Sequence, residues 1–185
     1  MALLLATFAR GEGDKPIRVL IETDKGNIEV ELDAKSAPNT VANFLKYVDG
    51  KFYDGGQFHR TVTPDNQPDN KVKIEVIQAG INPHKTKDEF PAIKLERTRD
   101  TKLSHKDGTI SMARDGPDTA TSDFFICIGD QPELDFGGKR NPDGQGFAAF
   151  GSVTTGLDVV KKIQQSRADG QTLKPAVKIT RIVRK

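Results

Sequence analysis

The sequence of 185 residues has no tryptophan, one cysteine and three histidines. A single cysteine excludes an internal disulfide and any cysteine-rich metal site. The apolar neighbours of Cys127 predict a buried packing thiol instead of a nucleophile. His59, His84 and His105 do not stand at ligand-like spacings from one another, so the sequence predicts no metal site.

An excess of charge and a long apolar run are also absent. The 28 basic residues nearly balance the 26 acidic ones, and the net charge of +2 lacks the electrostatic footprint of a nucleic-acid binder. No apolar run approaches the roughly 20 residues that a membrane-spanning helix needs.

The first residues, MALLLATFA at 1–9, are apolar, and no basic residue precedes them. They fit either the trimmed remainder of an export signal or a disordered tail, and we favour an exported or periplasmic location slightly over a cytoplasmic one. We expect residues 1–16 to form this leader and residues 17–185 to form a single, monomeric domain.

The most informative stretch is GTISMARDGPDTATSDFFICI at residues 108–128. It reads as two strands joined by a loop in which Gly-Pro-Asp at 116–118 favours a turn. Phe124 and Phe125 are consecutive, and neighbouring side chains of a strand point to opposite faces. One ring therefore enters the core, and the other either lies under a covering helix or lines a groove on the outer face.

Alternating apolar and polar residues predict further strands. Together with the central stretch, strands are expected at residues 17–23, 28–32, 57–62, 72–78, 93–95, 109–113, 123–128, 147–153 and 176–183. Helices are expected at residues 37–50, with Ser36 as the cap, Pro38 in the first turn and Gly50 at the end, and at residues 156–165. Many short strands and two helices between long loops are typical of a β-barrel with a helix at each mouth.

Residue spacing alone points to little chemistry. Ser111 and Ser122 lack a neighbouring base, so nucleophilic catalysis has no support. Arg60 stands in mid-strand, where a charge is costly to bury unpaired, and it is either part of a surface ion pair or a functional group. Gln78 is likewise either functional or the polar side of a half-exposed strand.

Six segments resemble the cyclophilins in order and in spacing. They are APNTVANF at 37–44, FYDG at 52–55, FHR at 58–60, VIQAG at 76–80, the central stretch, and FAAFG at 147–151. The resemblance extends from about residue 19 to residue 183, and the loop GGKRNPD at 137–143 resembles a bacterial-type variant. It implies a mainly β fold, a closed eight-stranded antiparallel β-barrel capped by two α-helices, in agreement with the pattern of strands and helices.

The resemblance also implies an activity, peptidyl-prolyl cis-trans isomerisation without a cofactor, which assists protein folding by acting on proline-containing peptides and unfolded protein segments. Arg60 falls on the catalytic arginine, Phe125 on the floor of the proline pocket, and Gln78 on a glutamine that hydrogen-bonds the arginine and the substrate. Phe124 would then face the core. Substrate contacts are implied for six further residues: His59, Ala113, Arg114, Asp123, Leu134 and Phe147.

Several positions depart from the family pattern. Glu75 stands where a pocket phenylalanine is usual, although a shift of the strand would let Ile74 or Val76 fill that space. Arg114 and Asp123 replace an asparagine and a glutamine. Glu133 replaces an aromatic rim residue that binds cyclosporin in many relatives, so we expect weak cyclosporin binding.

Two other hypotheses remain beside an active isomerase. One is a proline-peptide binding module or chaperone with feeble catalysis, because the pocket has lost aromatic walls. The other is a barrel that binds a small ligand at one mouth. An isomerisation assay on an Ala-Pro peptide, combined with a binding measurement, separates the first of these from an enzyme.

Overall fold

The computed structural model of the protein describes residues 16–185. The expected leader and its link to export therefore lie outside the described residues, apart from Pro16. The strands are β1 (Ile17–Thr23), β2 (Gly26–Leu32), β3 (Gln57–Val62), β4 (Val76–Gly80), β5 (Thr109–Met112), β6 (Phe124–Cys127), β7 (Ala148–Thr155), β8 (Ala168–Asp169) and β9 (Thr172–Arg184). The α-helices are α1 (Pro38–Asp49), α2 (Thr98–Thr101) and α3 (Leu157–Gln164). None of these helices is long and apolar enough to cross a membrane.

Eight of the strands form a closed antiparallel ring, as predicted. Their order is β1-β2-β7-β5-β6-β4-β3-β9, and β9 pairs with β1 to complete the circle. The two-residue β8 only extends the beginning of β9 as a short hairpin. Closure leaves none of the eight strands with a free edge. Along each strand, residues that face the interior of the barrel alternate with residues that face its outer surface.

The interior holds a continuous apolar core to which the two longer helices contribute. Phe44 of α1 lies with its ring centroid 5.6 Å from that of Phe124 and 5.3 Å from that of Phe150. On α3, Val159 packs against Gly26, where an added Cβ would lie 2.8 Å from a Val159 methyl carbon. Only glycine fits this close approach, and its φ of +134° also disfavours other residues. The hairpin between β1 and β2 is therefore fixed against α3.

The start of α1 differs from the prediction. Ser36 does not cap the helix, since the N-cap position is Ala37 and no side chain of that residue bonds the first turn. The carboxylate of Glu96 takes this role from a distant loop, accepting the N–H groups of Asn39 at 3.1 Å and Thr40 at 2.8 Å. It also accepts the Thr40 hydroxyl at 2.6 Å. An anion suits this place because the first N–H groups of a helix have no internal partner.

Other predicted elements of α1 and α3 are confirmed. Pro38 stands in the first turn of α1 and Gly50 ends it, while α3 lies within the predicted range 156–165. The second α-helix, α2, is an addition, because only a short strand at 93–95 was expected between the strands at 72–78 and 109–113. That strand is reduced to one bridge between Ile93 and Ala120.

The predicted strand at residues 72–78 is also shorter in the structure, since β4 begins only at Val76. The cause is the buried side chain of Gln67. Its Nε2 donates to the backbone oxygen of Ile74 at 2.8 Å, and its Oε1 accepts the Ile74 N–H at 3.4 Å. The backbone at Ile74 thus pairs with a loop side chain instead of a neighbouring strand.

Removal of the Glu96 carboxylate should destabilise the fold. Loss of a helix cap costs about 1 kcal/mol, so we expect Glu96→Ala to lower the free energy of unfolding by about 1–2 kcal/mol in urea titrations. The control is Glu31→Ala, which removes an exposed carboxylate from a surface ion pair on β2 and should cost less. Equal losses in the two variants would show that Glu96 does not cap α1.

Candidate active site

One groove of about 620 Å³ brings together all the residues predicted from the sequence. Its lining includes His59, Arg60, Gln78, Ala113, Arg114, Asp123, Phe125, Leu134 and Phe147. The strand register explains why, because Arg60 pairs with Gln78 and Gln78 with Phe125 across β3, β4 and β6. Side chains of paired residues share one face of a sheet, so these three form a row on the outer surface of the barrel.

The groove has an apolar floor that is separate from the main core. Phe125 is 4% exposed and belongs to a second cluster of buried residues: Val62, Ile74, Val76, Phe125, Cys127 and Leu134. The Phe147 ring meets the Phe125 ring edge-on, with centroids 5.4 Å apart and planes at 90°. Phe124 faces the main core, as predicted, with 0% exposure.

The apolar wall is kept in spite of Glu75. Ile74 and Val76 both line the groove, so its wall has apolar side chains without a phenylalanine at position 75. The Glu75 carboxylate instead accepts a hydrogen bond from Gln164 Nε2 at 2.9 Å. The nearby thiol of Cys127 is buried, and burial raises its pKa well above the ordinary value, which agrees with the predicted packing role.

Arg60 is held by two neutral amides. Its Nη1 donates to Gln78 Oε1 at 2.9 Å, while its Nε and Nη2 donate to Gln171 Oε1 at 2.9 Å and 2.6 Å. Within residues 16–185 it forms no ion pair with a carboxylate, so the surface ion pair considered from the sequence is not formed. Partial burial lowers the pKa of this guanidinium from its ordinary value, and arginine remains charged at neutral pH.

Gln171 is a site residue that the sequence did not reveal. It lies between β8 and β9, and its Nε2 donates to the backbone oxygen of Asn66 at 3.0 Å. This bond fixes the amide so that its oxygen faces Arg60. The turn glycine Gly170 before it signals a tight bend, but nothing in the sequence links Gln171 to an arginine 111 residues away.

A carboxylate lies at the other end of Gln78. Gln78 Nε2 donates to Asp123 Oδ2 at 3.0 Å, and His59 Nε2 is 3.6 Å from the same oxygen. Burial raises the pKa of the Asp123 carboxyl, the Gln78 hydrogen bond and His59 lower it, and the charge of Glu89 raises it further. Because its nitrogen faces Asp123, the amide of Gln78 is oriented with its oxygen towards Arg60.

Arg114 lines the groove but is already partnered. Its Nη1 and Nη2 bond Asp143 at 2.7 Å and 3.0 Å, and its Nε donates to the backbone oxygen of Gly146 at 2.8 Å. The guanidinium carbon lies 5.0 Å from the centre of the Phe147 ring. The side chain is 1% exposed, so its visible role is to hold the loop that carries Phe147.

The statement that Ser111 lacks a neighbouring base is wrong. His105 Nε2 lies 2.9 Å from Ser111 Oγ, and His105 Nδ1 lies 2.7 Å from Asp135 Oδ1. Ser111 is completely buried, however, and the His105 ring stacks on Phe125 with centroids 5.9 Å apart and planes at 16°. A buried hydroxyl cannot attack a substrate. The hydrogen-bonded series Asp135, His105 and Ser111 instead supports Phe125 at the floor of the groove. Ser122, the other serine, donates to the carboxylate of Glu89.

The fold and the groove together define a class of protein in which a closed antiparallel barrel has its site on the outer face. Comparison with known proteins identifies the family. The sequence model of the family described as "Cyclophilin type peptidyl-prolyl cis-trans isomerase/CLD" matches residues 18–184. The chain therefore belongs to the cyclophilin-type peptidyl-prolyl cis-trans isomerases, enzymes that bind proline-containing peptides and interconvert the isomers of X–Pro bonds.

Individual relatives support this assignment. Peptidyl-prolyl cis-trans isomerase A of Dickeya dadantii (strain 3937) is 36% identical over 152 residues, or 82% of this chain and 73% of that protein. Peptidyl-prolyl cis-trans isomerase cyp18 of Streptomyces antibioticus is 35% identical over 147 residues, or 79% of this chain and 82% of that protein. A crystal structure of a Cryptosporidium parvum cyclophilin-type isomerase shares the fold with a TM-score of 0.74 at 22% identity, over 92% of this chain and 98% of that one.

The raised pKa of Asp123 has a consequence for stability. The folded protein holds this proton more tightly than the unfolded chain, so stability falls as the pH rises from the ordinary value of 3.8 through the folded pKa. Asp123→Asn keeps an acceptor oxygen for Gln78 and removes the charge. We expect the gain in Tm over the unmodified protein to be larger at pH 7 than at pH 3, measured by circular dichroism. The control is Asp69→Asn, which removes the charge of an exposed aspartate. An equal gain in Tm for Asp123→Asn at both pH values would contradict a raised pKa of Asp123.

Proposed function

We propose that Arg60 is the catalytic residue of this isomerase and that Phe125 forms the floor of its proline pocket. The observation that carries the proposal is a guanidinium, charged and bonded only to neutral amides, at the edge of an apolar cluster. A positive donor beside an apolar cup suits a substrate that presents a proline ring and, next to it, an amide nitrogen.

The chemical problem is the partial double bond of the peptide. Resonance between the nitrogen and the carbonyl sets a rotation barrier of about 18–20 kcal/mol. A hydrogen bond donated to the prolyl nitrogen favours a pyramidal nitrogen, and a pyramidal nitrogen no longer shares its electron pair with the carbonyl. Each tenfold gain in rate requires about 1.4 kcal/mol of preferential binding to the twisted state.

Arg60 has donors left for this step. A guanidinium carries five N–H groups, and the bonds to Gln78 and Gln171 use three of them. One N–H on Nη1 and one on Nη2 therefore remain for the substrate. Because Gln171 is itself held by Asn66, the guanidinium is oriented before the substrate arrives, and a preorganised donor stabilises the transition state most effectively.

The apolar residues supply the other half of the mechanism. Phe125 and Leu134, with Phe147 at the side, would hold the proline ring still while the residue before it rotates. We propose further substrate contacts for His59, Ala113 and Asp123, while Arg114 would act indirectly by holding the loop that carries Phe147. The Cryptosporidium parvum relative, whose structure was also determined in the presence of the dipeptide Ala-Pro, supports a proline peptide as the ligand.

The groove is assembled within one chain, which suits a monomer of one domain over residues 17–185. No metal ion or cofactor enters the mechanism, and no three His, Cys, Asp or Glu side chains converge as a metal site between residues 16 and 185. We propose exposed X–Pro bonds in unfolded or flexible segments as the substrates, because an open groove on the outer face accepts an extended chain.

Replacement of Arg60 tests the catalytic assignment. We expect Arg60→Ala to lower kcat/KM on an Ala-Pro peptide by at least about 100-fold, near 2.7 kcal/mol, because the donor to the prolyl nitrogen is lost. Two-dimensional NMR exchange or a protease-coupled assay measures the rate. The control is Arg18→Ala, which removes an arginine of β1 that pairs with Glu31 outside the groove.

Stability should change little in the Arg60 variant, since the lost contacts are with two glutamines at the surface of the groove. Retained turnover combined with a large loss of Tm would mean that Arg60 is structural. If the unmodified protein binds the peptide but does not accelerate its isomerisation, the chain is a binding module instead of an efficient enzyme.

Cyclosporin binding should be weak. Glu133 stands at the aromatic rim position, and its carboxylate accepts the backbone N–H of Lys139 at 2.8 Å instead of presenting an apolar face. The lost ring contact removes roughly 1–3 kcal/mol, and covering a carboxylate adds to the loss. Calorimetry should show binding at least about 100-fold weaker than in a tryptophan-bearing relative, with Glu133→Trp regaining part of it. Nanomolar binding by the unmodified protein would contradict this.

A further inference from the structure

Besides Arg60 and Arg114, a third arginine faces the same groove. Arg140 lies on the loop after Leu134, and both it and Arg60 are among the lining residues. Its Nη1 donates to Gln67 Oε1 at 2.7 Å and to the backbone oxygen of Val72 at 2.8 Å. These bonds use the two N–H groups of Nη1 and leave three donors, on Nε and Nη2, without a protein acceptor among the described residues.

The charges of the two arginines are not neutralised by the protein. Within residues 16–185, neither Arg60 nor Arg140 pairs with a carboxylate, and both are bonded only to amide and backbone oxygens. Burial lowers the pKa of Arg140, and the charge of Arg60 lowers it further. Arg114 in the same groove differs, because Asp143 balances its charge.

The position of Arg140 is fixed from both sides. Gln67, which receives it, is 1% exposed and is itself bonded to the backbone of Thr63 and Ile74. On its own loop, the Arg140 N–H donates to the backbone oxygen of Glu133 at 3.2 Å. A guanidinium held in this way loses little conformational freedom when it binds an anion.

We propose that Arg140, together with Arg60, receives an acidic side chain of the substrate, so that the isomerase prefers X–Pro segments with aspartate or glutamate beside the proline. This inference rests on the proposed function of the groove. Guanidinium groups match carboxylates through paired, charge-assisted hydrogen bonds, and the unused donors of Arg140 are available for such a pair.

The rest of the groove favours one direction of binding. Asp123 lies on the far side of Gln78 from Arg60, and Glu89, which also lines the groove, bonds the adjacent Ser122 and acts on Asp123 through its charge. An acidic side chain placed there would meet two carboxylates. The electrostatic field of the groove therefore directs a substrate carboxylate towards the arginines, and only one side of the proline should show the preference.

The test uses matched peptides that carry glutamate or glutamine directly before or directly after the proline. At low ionic strength we expect kcat/KM to be about tenfold higher for glutamate than for glutamine at one of these positions. In Arg140→Gln the ratio should fall to about one. Lys139→Gln is the matched control, because it removes the same charge from the adjacent, exposed residue outside the groove lining and should keep the preference.

Two further measurements protect the test against a loss of folding. Arg140→Lys keeps the charge without the paired donors and should keep an intermediate ratio. In the unmodified protein, the preference should shrink as salt is added, since ions screen the attraction. A ratio near one at both positions, a preference that survives Arg140→Gln, or one that salt does not change would overturn the inference.

The glutamine peptides separate this inference from the proposed function. If they are isomerised at an enzymatic rate while the glutamate ratio stays at one, Arg60 and its pocket act as proposed and only the acidic preference is wrong. If neither peptide is isomerised faster than in buffer, the proposed function itself fails, and the acidic preference fails with it.

Discussion

Closure of the ring by the pairing of β1 with β9 is the constraint on which the rest of the molecule depends. In this barrel of eight strands, buried apolar side chains fill the interior and leave no room there for a substrate. The site must therefore lie outside. The consecutive residues Phe124 and Phe125 lie on opposite sides of the sheet. Phe124 belongs to the core of the barrel, and Phe125 forms the floor of the groove. Because side chains alternate between the two faces of a strand, Phe125 lies on the outer face, and the groove forms there.

The groove then meets a second physical demand, to keep an arginine charged and oriented without neutralising it. A carboxylate partner would have offset the cost of burial but would also have occupied the donors that are proposed to bind the substrate. Amide oxygens of Gln78 and Gln171 orient the guanidinium through dipoles and leave the net charge in place. Asp123 acts one step away, through Gln78, so the carboxylate orders the site without forming an ion pair with Arg60.

Periodicity predicted the barrel and both longer helices, and the family resemblance predicted nine of the residues that line the groove. The sequence did not predict contacts made by single side chains across long loops. Glu96 caps α1 from 56 residues away, and Gln171 holds Arg60 from 111 residues away. The error in the strand at 72–78 has the same origin, since Gln67 occupies backbone groups that a pattern assigns to a sheet. Periodicity predicts which face of an element a residue lies on, but it does not predict which residue from a distant part of the sequence contacts it.

These long-range contacts also explain why a compact barrel carries two long loops beside its site. Gln67 orders one loop, Arg140 belongs to the other, and the hydrogen bond between them joins the loops at the groove. An ordered loop is costly in conformational entropy, and such segments persist mainly where they place functional groups. The barrel strands already supply Arg60, Gln78 and Phe125. The loops add the apolar residues Leu134 and Phe147 and, with Arg140, a positive charge that no carboxylate of the described residues neutralises. A reaction that only needs rotation about a neutral bond does not require that charge, and this is why we assign Arg140 to the choice of substrate and not to the rotation itself.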